Sequence, residues 1–403
     1  MSRLIFLTTR FPYSNRQQWK ENELLLIKYA FDEVAIVPFI YTGNDRVDEI
    51  NGIEVWPPVF SYQPYLKLKR LRALISPRFK TYFKEFFRQG VFRSREKLIK
   101  FLDSVNKTEL MVKGDFYKRL NQLPDKENTI LYFYWGVGSS LLVPYLYGFK
   151  KIIVRFHGYD LYDERNNGYI PFREDLVRKL DNAVFISNHG MRYMLAQYPG
   201  IKGKEKMFRL GTKFKGLSKV STDGVLRVYS CSEIKPLKRV DLILNAVRKV
   251  NFPVIWTHIG GGDGIELMRK ATENLPANVS VNLVGVVRSE EVMNYYINQP
   301  VDLFVNASTT EGVPVSVMEA LSAGIPVIAT SVGGTGEIVD ECVGKLVDAD
   351  LDATRLAQHL LWFYNLDKNE KLKMREAALN RFKERSDADK LNRSFIDFLL
   401  SLK

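Results

Sequence analysis

Cysteine and histidine are scarce in this chain: two of the first and four of the second among 403 residues. Cys231 and Cys342 each stand in apolar surroundings without a second Cys or His beside them, which excludes a disulfide framework and a zinc site and fits a reducing cytoplasm. No low-complexity tract and no short repeat is present, and the hydrophobic and charged fractions, 46% and 26%, are those of an ordinary folded protein. The opening MSRLIFLTTRFPYS has too short an apolar run for a secretory segment and reads as a first buried strand. One uncharged stretch, 129–149, is long enough to cross a bilayer, but Gly136, Gly138, Ser139, Ser140 and Pro144 break it. A strand, a short helix and a following strand, IIVRF, are expected there instead.

What is abundant is positive charge in one place. Of the net +13, the segment 61–120 supplies +11, with 16 Lys or Arg against 5 Asp or Glu, interleaved with Phe, Tyr and Leu. Basic amphipathic helices of this kind can lie on an anionic lipid surface, each base near it contributing about 1 kcal/mol. A pair of surface helices with merely solvated bases is the plainer reading. Nucleic acid is not expected, because no zinc finger, RNP-type strand or GxxG clamp accompanies the bases.

Short β-branched runs alternate with helical patterns: LIFLTT, WKENELLLIKYA, EVAIVPFI, then ILYFYW, IIVRF and AVFIS. The alternation pauses at LGTKFKGLSKVSTDG and restarts with LRVYSCS, VIWTHIGGG, VSVNLVG, DLFVNAS and PVIAT. This predicts an α/β protein of two Rossmann-like, doubly wound parallel-sheet domains, 1–215 and 216–386. Facing each other, they would enclose a cleft. A last helix, about 387–403, follows, with the first domain a candidate for its docking site.

The most informative window is 302–339. A buried strand, 303–306, leads through a polar turn to Pro314, placed where a first helical residue would stand, ahead of VSVMEALSA and the stop Gly324. Free N–H groups and the helix dipole at such a start favour a phosphate, and Gly312 permits close approach. Glu319 lies roughly 6 to 8 Å further along the axis, a diphosphate-to-ribose distance. Its carboxylate can accept from two vicinal ribose hydroxyls, and Glu311, just before the helix, can do so for a sugar beyond the phosphates. The alternative is that both are ordinary helix-terminal glutamates. Asp181 and Asp302 read as structural.

The spacing of the two glutamates in EGVPVSVMEALSAGIPVIAT, followed by VGGTGEIV, resembles the signature of glycosyltransferase family 4, retaining enzymes of the two-domain GT-B fold. SEIKPLKRVDLILNAV resembles the family's phosphate-binding loop, IGGGDG its glycine turn, and VGVVRSEEVMNYY its base-binding loop. YWGVGSS, VRFHGYDLYDERNNGYIPFRE, AVFISNHGMRYML and RLGTKF look like members that build bacterial surface polysaccharides of the colanic acid, amylovoran and lipopolysaccharide type.

The resemblance implies transfer of a sugar from a UDP- or GDP-sugar to a glycan or polyprenyl-linked acceptor, on the inner face of the plasma membrane, with no cofactor. It implies that Glu311 meets the donor sugar, Glu319 the ribose, Lys238 the diphosphate and His157 the sugar near the reacting carbon. Ser232, Gly261, Val286 and the turn Gly312, Val313, Pro314, Val315 and Ser316 would complete the donor site. Tyr134, Trp135, Gly158, Tyr159 and Asp160 would lie on the acceptor side, Asp160 pointing with His157 if the chain there is extended.

Two departures stand out. Where the family places an arginine this chain has Glu233, leaving Lys235 or Arg239 to compensate, and the family's glycine pair after the first strand is replaced by TTRFPYSNRQQW. No Asp-x-Asp pair is expected at a strand end, so no metal is implied, and Lys238 with the helix dipole would take its place. Rival readings are a nucleotide-sugar epimerase or a phosphorylase on the same architecture, or a non-catalytic membrane-surface protein.

Overall fold

The computed structural model describes residues 1–13, 19–41, 43, 46–60 and 76–403. The chain divides into two units, residues 1–208 with 392–403, and residues 209–391.

The first unit is built on eight strands: β1 (Arg3–Thr8), β2 (Glu33–Pro38), β3 (Glu49–Ile50), β4 (Ile53–Val55), β5 (Thr129–Phe133), β6 (Lys151–Phe156), β7 (Asn182–Phe185) and β8 (Glu205–Met207). Their order is β3-β4-β2-β1-β5-β6-β7-β8, all parallel except the β3/β4 pair. Runs such as Leu4 to Leu7 and Ile130 to Phe133 are buried, as expected of parallel strands covered on both faces. The helices are α1 (Trp19–Ala30), α2 (Phe79–Arg88), α3 (Arg95–Met111), α4 (Asp115–Gln122), α5 (Arg173–Lys179) and α6 (Asn188–Gln197).

The second unit has six parallel strands, β9 (Leu226–Cys231), β10 (Val254–Ile259), β11 (Val279–Gly285), β12 (Leu303–Asn306), β13 (Val327–Thr330) and β14 (Gly344–Val347), in the order β11-β10-β9-β12-β13-β14. Its helices are α7 (Val240–Val247), α8 (Ile265–Ala271), α9 (Ser289–Asn298), α10 (Val315–Ser322), α11 (Ala353–Asn365) and α12 (Lys368–Arg385). Strand order reverses between β9 and β12, so the loops that leave these two neighbours diverge and open a crevice at their carboxyl ends.

A final helix, α13 (Ala388–Leu400), packs into the first unit's core. Phe395, Ile396 and Leu399 are buried among Leu4, Phe6, Ile27 and Tyr132. The Phe395 ring also lies under the Arg155 guanidinium at 4.2 Å, and Arg155 is itself neutralised by Glu23 at 2.6 Å.

The uncharged stretch 129–149 forms β5 and a 3-10 turn, Gly138–Tyr145, and β6 follows it. Among the described residues no helix is long and apolar enough to cross a membrane. The basic segment departs from a pair of surface helices. Residues 61–75 lie outside the described residues, and the remainder forms α2, α3 and α4 with a buried polar centre. There Glu109 accepts from Arg78 (2.8 Å), Ser76 (2.6 Å) and Tyr82 (2.7 Å).

Candidate functional site

In the second unit the loops after β9 and β12 are tied to each other at the reversal point. The Thr309 N–H donates to the Leu237 carbonyl at 2.8 Å, and Lys238 Nζ reaches Glu311 Oε1 at 2.5 Å. The same oxygen accepts from Asn306 at 3.3 Å, and the Asn306 side chain in turn holds the Ser308 N–H at 3.1 Å. Glu311 is buried, so its charge is taken out of water only in company with the lysine.

Behind this loop lies Gly333, with a φ of +54° and so little room that a Cβ would stand 1.9 Å from the Glu311 carbonyl oxygen. The neighbouring Gly334 N–H donates to the Gly312 carbonyl at 2.6 Å. Two glycines thus let a second loop back the first at backbone contact.

Pro314 occupies the position before the helix rather than its first turn, with a ψ of 115° that is extended and not helical. α10 begins at Val315. Its first N–H groups, on Val315 and Ser316, have no carbonyl partner among the described residues and remain donors at the crevice. Gly312, Val315 and Ser316 are part-exposed, while Val313 and Pro314 are buried. One turn into α10, the Glu319 carboxyl is pushed up to about 7 by burial, only partly offset by Lys215.

The ends of β10 and β11 close the other side. Gly260 has a φ of +138°, and a Cβ there would stand 1.8 Å from the Ser232 carbonyl oxygen. The Ile234 N–H donates to the Gly261 carbonyl at 2.8 Å, and a Cβ on Gly261 would meet Val286 at 2.8 Å. Ser232, Gly261 and Val286 are therefore brought together, with Val286 exposed.

Two expectations about charge are corrected. Arg239 does not stand ready for a phosphate. It has a left-handed backbone, φ +47°, and its guanidinium donates to the Ala307 carbonyl at 2.6 Å and to the Leu351 carbonyl at 3.2 Å, pinning two loops. Lys235 is paired with Glu233, so its charge answers the acid that replaces the family arginine. An Asp-x-Asp pair does follow a strand: Asp348 and Asp350 come directly after β14. That strand is at the sheet edge, two strands from the reversal point, and Asp350 is engaged by Arg355 at 3.2 Å.

The first unit carries a second cluster. His157, at the end of β6, packs its ring 4.2 Å from Trp135 and 4.8 Å from Tyr134, centroid to centroid. Its Nδ1 lies 3.8 Å from Asp160 Oδ2, beyond hydrogen-bond reach. Both ring nitrogens of His157 and Nε1 of Trp135 are buried without a hydrogen-bond partner among the described residues. Burial holds the imidazole below its usual pKa despite Asp160, so it is neutral at pH 7.

Asp160 does not extend alongside His157. The chain turns at Gly158, and the buried carboxylate accepts the Gly136 N–H at 2.7 Å and the His157 N–H at 2.8 Å, fixing the loops after β5 and β6. Tyr134 is buried, Trp135 part-exposed and Tyr159 exposed.

Lys20, which sequence reasoning passed over, sits on the first turn of α1, buried, with Nζ 4.4 Å from the Tyr134 ring centroid. Burial pulls its amine down to about 7, opposed by Glu23. The available signal was a lysine at the start of the helical run WKENELLLIKYA. Of the loop TTRFPYSNRQQW, residues 14–18 lie outside the described residues.

Residues 218–381, which contain the whole β9 to α10 site, match the glycosyl transferases group 1 family. This segment, less than half of the chain, is similar to group 1 glycosyl transferases. Among curated relatives, the chain is 26% identical over 266 residues to the putative colanic acid biosynthesis glycosyltransferase WcaL of Escherichia coli K12, covering 62% of this chain and 64% of that one. It is 29% identical over 145 residues to the amylovoran biosynthesis glycosyltransferase AmsK of Erwinia amylovora, covering 34% and 35%. The matched part is therefore less than two thirds of these relatives' length. Among solved structures, Anabaena Alr3699/HepE in complex with UDP-glucose aligns over 100% of both chains with a TM-score of 0.66 at 16% identity. A sucrose-phosphate synthase from Thermosynechococcus elongatus aligns over 100% of this chain and 99% of its own with 0.72 at 15%. The two units of this chain thus have the GT-B fold.

Proposed function

We propose that the protein is a glycosyltransferase of surface-polysaccharide synthesis that moves a sugar from a UDP- or GDP-sugar to a glycan or polyprenyl-linked acceptor. The observation that carries this is the Lys238–Glu311 pair at the strand reversal, beside the free N–H groups of Val315 and Ser316, with Glu319 one turn further in. In this reading the diphosphate takes Lys238 and the N–H groups, Glu319 accepts the ribose hydroxyls, and Glu311, released from Lys238, accepts hydroxyls of the sugar. The names of relatives, WcaL and AmsK among them, support the polysaccharide class, and the UDP-glucose bound by the Anabaena protein supports the donor class.

As the bond from the anomeric carbon to the phosphate oxygen breaks, negative charge grows on the diphosphate, met by the N–H dipoles at the helix start and by Lys238 once it has left Glu311. The acceptor oxygen bonds to the same carbon and its proton passes to the departing phosphate, on the same face, which retains configuration. Neutral His157, with two unsatisfied nitrogens, hydrogen-bonds a sugar hydroxyl. No resident metal is needed for this scheme, and turnover is expected to survive chelation by EDTA. The bases of 61–120 hold the protein on the inner membrane face.

The test is a transfer and donor-hydrolysis assay with UDP- and GDP-sugars. Glu311→Gln should cut turnover at least about a hundredfold while circular dichroism shows the fold retained and the lost pair with Lys238 lowers the melting point, because it removes a charge that acts on the bound donor. Full activity in this variant would overturn the assignment.

A further inference from the structure

α2 presents two unlike faces. Inward, Tyr82 packs on Phe172 with ring centroids 5.6 Å apart, and Glu85, the helix's one acid, is buried and accepts from the Tyr169 hydroxyl at 3.1 Å and the Phe172 N–H at 3.0 Å. Outward, Phe79, Phe83 and Phe87 recur every four residues and are 38%, 52% and 53% exposed. Phe92, in the turn after the helix, continues the row at 53%. The rings touch one another, at 5.7 Å for Phe79–Phe83, 4.5 Å for Phe83–Phe87 and 5.9 Å for Phe87–Phe92. Phe86, turned inward onto Phe101, also meets Phe87 at 5.4 Å and Phe92 at 6.0 Å, and the outer faces of the four rings stay open. Four contiguous exposed phenylalanines are far more apolar surface than isolated exposed side chains account for.

Among the described residues, the unpaired charges of the helix beside this ridge are cations. Lys80 and Lys84 stand one residue on from Phe79 and Phe83, along the same helix, and Arg93 lies 5.4 Å from the Phe92 ring, while Arg88 is turned onto Glu85 and Glu174. Of the two acids nearby, Glu85 is turned inside and Glu174 is answered by Arg88. An aromatic ridge edged by cations is complementary to a surface that is negative outside and apolar beneath. A protein partner would need its own acidic rim around an apolar groove, whereas an anionic bilayer supplies both everywhere.

We infer that the ridge Phe79–Phe83–Phe87–Phe92 is a membrane-docking face that seats its rings at the headgroup–acyl boundary of an anionic bilayer, with Lys80 and Lys84 on the headgroups. This deepens the membrane reading of 61–120 given above and is independent of the transfer chemistry. The contact is made by inserted aromatic rings, not by diffuse charge alone, so part of it is insensitive to salt.

The experiment is co-sedimentation of the full chain with vesicles of phosphatidylcholine alone or with about a third phosphatidylglycerol, at low and high salt. Binding to the anionic vesicles is expected. The double variant Phe83→Asp/Phe87→Asp should lose at least about tenfold in affinity, since it removes two insertions and adds two like charges. Lys80→Gln/Lys84→Gln should lose less and flatten the salt dependence. These side chains are exposed, so circular dichroism and melting should match the parent. Unaltered binding by the aspartate pair, with loss on changing bases in 61–75 instead, overturns the ridge but leaves the membrane reading standing. No vesicle binding by the parent chain overturns both. A parent dimer that the aspartate pair splits, without lipid binding, assigns the ridge to a second copy and overturns the inference.

Discussion

At the scale of single residues, the two glutamates differ in how their charge is maintained, and this makes a prediction. Glu311 has a lysine on it, whereas Glu319 is desolvated and holds its proton up to about pH 7, against an ordinary 4.5. The folded chain therefore binds more protons than the unfolded one between these values. The stability this group contributes is complete below about 4.5 and is lost as pH rises through about 7. Glu319→Gln should remove that slope and leave the variant roughly 1 to 3 kcal/mol more stable at pH 8, while weakening nucleotide binding. Melting curves across pH with a UDP titration check both; a parent slope unchanged by the substitution refutes the first. Gly333→Ala is the steric counterpart. With a φ of +54° and the Glu311 carbonyl 1.9 Å from the new Cβ, it should cost about 1 to 3 kcal/mol and displace the Glu311 loop, seen as a lower melting point and weaker UDP binding. Glu311, Glu319 and Lys238 could be picked out from the sequence because their spacing encodes a strand, a turn and a helix start. Lys20 could not, because its burial depends on Tyr134, more than a hundred residues away in the chain.

At the scale of elements, periodicity identified the strands and the break in 129–149, since buried parallel strands write themselves as short β-branched runs. It placed Pro314 one residue too far into its helix, where proline's fixed φ suits both positions and only ψ distinguishes them. It also missed the turn at Gly158 that sends Asp160 inward, a choice made by the two N–H groups that needed an acceptor. α13 shows why a helix's partner is harder to read than the helix. IDFLLSLK states an apolar face, but the matching surface is assembled from β1, α1 and β5. Leu399→Ala should therefore destabilise the first unit by about 2 to 5 kcal/mol although it lies at the far end of the sequence. Denaturant unfolding measures this, and a loss within experimental error would mean that α13 is not part of that core.

At the scale of the whole molecule, the alternation of runs and its pause predicted two doubly wound units, and each has a hydrophobic core of its own. One is centred on residues such as Leu131, Phe133 and Val154, the other on Val228, Trp256 and Leu303. Separate cores can melt separately. The candidate nucleotide site lies wholly within 209–391, between loops that end β9, β10, β11 and β12, whereas α13 docks on the other unit. A ligand that binds one native unit stabilises that unit by mass action, by about 2.7 kcal/mol at a hundred times Kd. Calorimetry with saturating UDP should thus raise one transition and leave the second in place, and Leu399→Ala should lower the second and leave the first. If both perturbations move a single transition together, the units fold as one cooperative body, and stability in this chain is set by their union and not by two cores.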